Sequence, residues 1–137
     1  MKVFFDSSSF AKRFVNEDGS KKVEALCAET SSLGVSVICV PEIVSALTRL
    51  RREKRLTPSQ YEKAKEALFE DVRDVDVVDL TVSVIGSSIQ VVESSVVRAM
   101  DALHVACAME WGCELFVSSD VRQLKAAKKS GLKTQRV

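Results

Sequence analysis

The sequence predicts an α/β protein: a four- or five-stranded parallel sheet between two layers of helices, three layers in all. Three observations predict it. Short apolar runs alternate along the chain with segments whose apolar residues recur every three or four positions, the pattern of strands joined by crossover helices. The 137 residues are 46% hydrophobic and 28% charged, enough to bury one core of ordinary size. Two prolines and five glycines leave no linker or low-complexity stretch, and no repeat is visible, so residues 1–137 read as one domain.

The elements follow in order. Lys2–Phe5 is a short apolar run, read as a first strand ending at Asp6. The serines at 7–9 and then Phe10–Val15, with helical spacing, read as a first helix, Asn16–Gly19 is a turn, and Ser20–Glu29 places Val23, Leu26 and Cys27 on one side of a second helix. Gly34–Val40 is rich in β-branched residues and reads as a buried strand. Pro41 suits a first helical position, and the helix Pro41–Lys54 carries Ile43, Val44, Leu47 and Leu50 as its stripe. Thr57 caps a helix that runs to about Val72, and Val75–Leu80 is a third strand. Thr81–Glu93 reads as a helix despite its valines and isoleucines. Val97–Trp111 is a helix stopped by Gly112, Leu115–Val117 a fourth strand, Val121–Lys129 a helix ended by Gly131, and Lys133–Val137 a short fifth strand.

Composition excludes several classes. The longest uncharged run, Leu80–Val92, is too short and too often interrupted by polar residues to span a bilayer. Met1–Phe5 has neither the form of a secretory signal nor that of a transit peptide, so a cytoplasmic location is expected. Cys27, Cys39, Cys107 and Cys113 have no CxxC spacing, and His104 is the only histidine. A zinc site is therefore not expected, and the thiols are expected to be buried and reduced. The net charge is +1, but the bases are segregated. Arg122, Lys125, Lys128, Lys129, Lys133 and Arg136 meet no acid after Val121, and Arg49, Arg51, Arg52, Lys54 and Arg55 enclose only Glu53. Each cluster alone is most simply a solvated helix face; together they suggest a polyanionic partner.

Four acids stand out. Asp6 follows the first strand and Asp120 the fourth, and either could simply cap the next helix. Glu42 lies in a first helical turn, where it suits the helix dipole. Asp101 sits in an almost wholly apolar helix, where a bare carboxylate costs several kcal/mol; a salt bridge to Arg98 is its simplest relief. Jointly these readings weaken. In a parallel sheet, strand ends and the helix starts after them share one edge, where such folds bind ligands. Carboxylates converging there repel unless a cation sits between them, and Mg²⁺ or Mn²⁺ suits oxygen ligation. Ser7 and Ser118, beside two of the acids, could orient carboxylates or ligand waters. An ion held this way beside basic surface suits phosphodiester hydrolysis. No glycine-rich phosphate loop is present, and His104, flanked by apolar residues, reads as packed or at a rim rather than as a base.

The sequence resembles the PIN-domain family, in particular the small VapC-type toxins. Four pieces in order carry the resemblance: Val3–Ser8 with its strand ending in Asp-Ser-Ser, Ser36–Ile43 with its helix-starting Glu, Arg98–Ala106 with Asp-Ala-Leu-His, and Phe116–Asp120 followed by a basic helix and Gly131. The resemblance implies a PIN-like fold and a metal site of Asp6, Glu42, Asp101 and Asp120 that is also catalytic. It implies Mg²⁺- or Mn²⁺-dependent endoribonuclease activity, a homodimer, and an antitoxin partner in a type II toxin–antitoxin pair. Arg49, Arg52, Arg98, Arg122 and Lys125 are the expected RNA contacts. Ser118 replaces the family's usual threonine, and no acid follows Asp120 within the next turn, which leaves a second metal position weakly held. The alternatives are an RNA-processing PIN nuclease outside any toxin–antitoxin system and an inactive PIN-like binding module. A phospho-receiver layout is disfavoured: Phe5 and Ser7, rather than acids, flank Asp6, and no lysine lies near Val117–Asp120.

Overall fold

A computed structural model describes residues 1–137. Five parallel strands form the central layer: β1 (Lys2–Phe5), β2 (Ser32–Ser36), β3 (Asp76–Val78), β4 (Leu115–Ser118) and β5 (Thr134–Arg136), in the spatial order β3-β2-β1-β4-β5. Seven helices connect and cover them: α1 (Ser7–Phe10, continued by a 3₁₀ turn at Ala11–Arg13), α2 (Ser20–Glu29), α3 (Cys39–Arg52), α4 (Pro58–Asp71), α5 (Val82–Ser94), α6 (Ala99–Trp111) and α7 (Val121–Lys129). The architecture is the three-layer α/β/α sandwich expected.

Alternation along the strands divides the core. Val3 and Phe5 face a cluster built from α1–α4, with Phe10, Val23, Ile43, Leu47, Tyr61 and Leu68. Phe4 and Phe116, stacked with ring centroids 6.0 Å apart, face α5–α7, with Val84, Val91, Val105 and Ala126. Burying each large side chain contributes roughly 1.5–3 kcal/mol. On the second face α6 lies close against β2. A Cβ at Gly34 would stand 2.9 Å from the Trp111 ring, so only glycine fits there at this separation.

Several boundaries differ from those the sequence suggests. The second strand, expected at Gly34–Val40, ends at Ser36; Cys39 and Val40 open α3, and Pro41 is its third residue rather than its first. Both placements suit proline, because the first-turn N–H groups have no partner inside the helix. The β-branched run simply continues into a helix, with Glu42 N–H donating to Ile38 O at 3.2 Å. The first helix begins at Ser7, as expected, where Asp6 caps it, but its α-helical part stops at Phe10 and a 3₁₀ turn ends it at Arg13, short of Val15. Thr57 and Gln60 form a reciprocal capping box at α4, and Gly112 ends α6 with φ of 74°. All four cysteines are free, and no helix is long and apolar enough to cross a membrane.

Candidate active site

Four acidic side chains stand along the C-terminal edge of the sheet, each on a different segment. Asp6 immediately follows β1. Its backbone N–H donates to Val117 O at 3.1 Å, which stitches it to neighbouring β4. Its side chain is almost fully buried, and Oδ1 accepts from the Ser9 N–H at 2.9 Å. The Ser8, Ser9 and Ser118 hydroxyls donate to the same carboxylate at 2.7–2.9 Å. These donors are all neutral, so dipoles solvate the charge without cancelling it.

Glu42 lies in the first turn of α3. Oε1 accepts from Ser7 Oγ at 2.7 Å and pairs with His104 Nε2 at 2.5 Å, while Oε2 carries no hydrogen bond. Burial pushes this carboxyl up, but the bonds from His104 and Ser7 outweigh it and hold its pKa below the ordinary value. Asp120 caps α7, its Oδ1 accepting from the Arg122 and Gln123 N–H groups at 2.8 and 3.3 Å. Its own N–H donates to Ser118 Oγ at 2.9 Å, and that hydroxyl in turn reaches Asp6 Oδ2.

Asp101, the third residue of α6, is the exception. Its carboxylate makes no hydrogen bond and no ion pair; the salt bridge to Arg98 considered from the sequence is not formed, and Arg98 stands before the first turn, at the cap position. Burial raises its pKa, the charge of Asp120 raises it further, and Glu42 and Asp6 add to this against an opposing contribution from His104. The four acids therefore share one electrostatic field. No arginine or lysine pairs with any of them.

The donor set can be tested against a divalent ion. No three acidic, histidine or cysteine side chains stand close enough together to chelate one ion directly. Glu42 Oε2, both Asp101 oxygens and Asp120 Oδ2 nonetheless lack partners. An all-oxygen set offering one or two direct carboxylates, with the rest reached through water, is how Mg²⁺ is commonly held, because it dehydrates reluctantly. The residues fit such an ion.

A family model described as the PIN domain matches residues 3–129. The chain belongs to the PIN-domain family. Among solved structures it is similar to VapC20 of Mycobacterium tuberculosis, a sarcin–ricin loop cleaving toxin, at 17% identity and TM-score 0.68, with 95% of each chain covered. It is also similar to the DNA-bound VapBC of Salmonella typhimurium, at 14% identity and TM-score 0.71, covering 99% of this chain and 98% of the other. VapBC2 of Rickettsia felis, bound to a promoter DNA fragment, gives 11% identity and TM-score 0.70, covering 100% and 99%. At these identities the likeness establishes the fold. No curated protein matches the sequence.

In this PIN domain, bases rim the acids. A groove bounded by the loop Ser95–Arg98 and the start of α7 contains Asp101 and Asp120 together with Arg98 and Arg122. It continues along α7 past Lys125 and Lys129. On the other side, Glu42 shares a shallow depression with Arg49 and Arg52. Four contributors were not foreseen from the sequence. His104 is buried and bonded to Glu42 rather than merely packed; its spacing of three from Asp101 was the available signal. Ser8 and Ser9 extend the hydroxyl run after Asp6. Gln123, 1% exposed, donates to Asp101 O at 3.1 Å, and nothing in the sequence of α7 marked it.

Proposed function

We propose that this PIN domain is a divalent-metal-dependent endoribonuclease and that it serves as the toxin of a type II toxin–antitoxin pair in the cytoplasm. The observation that carries the reading is Asp101, a half-buried carboxylate with no partner, in the field of three other acids at the sheet edge. Leaving such a group bare in the fold costs free energy that a bound cation recovers. Asp6, Glu42, Asp101 and Asp120 would hold Mg²⁺ or Mn²⁺, in part through water. A divalent ion there supplies Lewis acidity toward a phosphodiester and makes a bound water more acidic.

The chain's own residues supply the rest. The Ser7, Ser8, Ser9 and Ser118 hydroxyls orient the Asp6 and Glu42 carboxylates. Arg98 and Arg122, which line the same groove as Asp101 and Asp120, would hold a phosphate beside the acids, and Lys125 the next one along the strand. Arg49 and Arg52 flank the opposite approach. Phosphate contacts of this kind carry little sequence information, so the cut site would follow from RNA shape and exposed bases.

The exposed apolar residues support partners. Val82, Ile85, Ile89 and Val92 recur at three- and four-residue spacing on the outer face of α5, which suits a homodimer. Val96 and Val121, exposed at the groove beside Asp120, suit an antitoxin segment seated over the acids. The experiment is direct: purified protein, Asp6→Asn and Asp101→Asn are each given structured RNA with Mn²⁺ or Mg²⁺. Cleavage by the wild type, lost on chelation and in both variants, is expected. Full activity in both variants would remove the mechanism, and inactivity of the wild type with metal bound would favour a binding module.

A further inference from the structure

Resting on that functional reading, we infer that His104 is a positioning residue: it clamps one oxygen of Glu42 and leaves the other free for the ion or one of its waters. Glu42 is carried by α3, whereas Asp6, Asp101 and Asp120 belong to the end of β1, to α6 and to the start of α7, so its aim depends on contacts between elements. Both donors that reach it converge on the same atom. Ser7 Oγ donates to Oε1 at 2.7 Å and His104 Nε2 lies 2.5 Å from it, while Oε2 is bonded to nothing. Glu42 Oε1 can only accept, so the proton of this contact sits on Nε2. The imidazole is 2% exposed and its Nδ1 has no partner, so the ring is buried for the sake of the polar contacts at Nε2 alone. Purely structural histidines normally satisfy both ring nitrogens.

The clamp also connects the acids to one another. His104 is one turn after Asp101 on α6, and Ser7 is the residue after Asp6. The Glu42 carboxylate is thereby tied to the two elements that carry two of its fellow acids. A shift of α3 relative to α6 would turn Oε2 away, and the anchored Oε1 is what resists it. Groups that orient metal-binding carboxylates typically change metal affinity by about 10–100-fold when removed.

The test compares His104→Asn with His104→Gln in metal-free protein. The glutamine amide reaches the position of Nε2; the asparagine amide stops short. Mn²⁺ is titrated in by calorimetry, and the metal-free melting temperature is recorded for each form. The expected result is Mn²⁺ binding weakened about 10–100-fold in His104→Asn and largely restored in His104→Gln. Ser7→Ala, which removes the other donor to Oε1 and its 3.2 Å contact with His104 Nε2 while leaving the imidazole in place, is expected to weaken Mn²⁺ as well and serves if His104→Asn does not fold. Unchanged affinity in His104→Asn and Ser7→Ala overturns the inference. So does an equal loss in both histidine variants that tracks a fall in melting temperature, which would assign His104 to packing. A wild type that binds no Mn²⁺ overturns the functional reading itself; a wild type that binds while the variants bind equally well overturns only the clamp.

Discussion

Gly34→Ala asks whether α6, which carries both Asp101 and His104, is held against the sheet at a fixed distance. The added Cβ would meet Cε3 and Cζ3 of Trp111 at 2.9 Å and Cδ2 at 3.0 Å. The ring has little freedom to yield. Its Nε1 donates to Asp76 Oδ2 at 3.0 Å, Lys2 Nζ lies 4.2 Å over its face, and Phe4 packs against it at 6.1 Å. Overpacking of this kind costs about 1–3 kcal/mol, or roughly 3–12 °C in melting temperature for a chain of this size. Because the relief available is a shift of α6, weaker Mn²⁺ binding should accompany the loss. Gly86→Ala is the internal control. Gly86 lies inside α5, and a Cβ there meets nothing within 4 Å, so alanine should stabilise by about 0.5–1 kcal/mol. Thermal and urea unfolding of both variants measure the difference. A Gly34→Ala protein as stable as wild type, or two variants shifted in the same direction, would refute the argument.

Asp101→Asn in the metal-free protein should raise the melting temperature at pH 7. Burial and the charges of Asp120, Glu42 and Asp6 raise this carboxyl's folded pKa, so the cost appears as pH climbs through that value and is absent below roughly pH 4, where the unfolded carboxyl is protonated too; a variant less stable than wild type at pH 7 contradicts this. Burial pushes all four thiols up, Cys39 to about 12 and Cys113 to about 11. Since the thiolate is the reactive form, labelling at pH 8 should be far slower in the folded protein than in urea, and stability should fall as pH rises past the unfolded thiol value of about 8.5; one fast native thiol counts against it. In an Asp6→Asn background, replacing Arg122 and Lys125 by alanine should weaken RNA binding and flatten its salt dependence by about 0.7 in logarithmic slope for each phosphate no longer neutralised; an unchanged slope would place the RNA elsewhere.

The layer architecture was legible because alternating strand and helix periods leave few alternatives once the connections are short. The placement of Asp6, Glu42 and Asp120 at one sheet edge followed from the same logic: each comes after a strand, and parallel strands end on one side. Boundaries were less legible. The run from Gly34 to Val40 has strand propensity throughout, and what ends β2 at Ser36 is the start of α3. The finer chemistry was legible only for Ser7 and Ser118, which stand beside two of the acids. His104 lies in an apolar helix with nothing local to bond, and its partner Glu42 is 62 residues away in sequence. Gln123 likewise gains its role from Asp101 O on a neighbouring helix. Arg98 and Asp101 have the spacing of a helical ion pair, yet Arg98 sits at the cap position, outside the regular turn where that spacing brings side chains together.

One electrostatic claim underlies the site: the unpaired negative charge at the sheet edge is there to receive a divalent cation. Calorimetric titration of Mn²⁺ into the metal-free chain, repeated with Asp6→Asn, Glu42→Gln, Asp101→Asn and Asp120→Asn, measures it. Saturable binding is expected in the wild type, weakened by each single substitution, with Asp101→Asn also raising thermal stability. A wild type that takes up no Mn²⁺, or binding that survives all four substitutions, would contradict it.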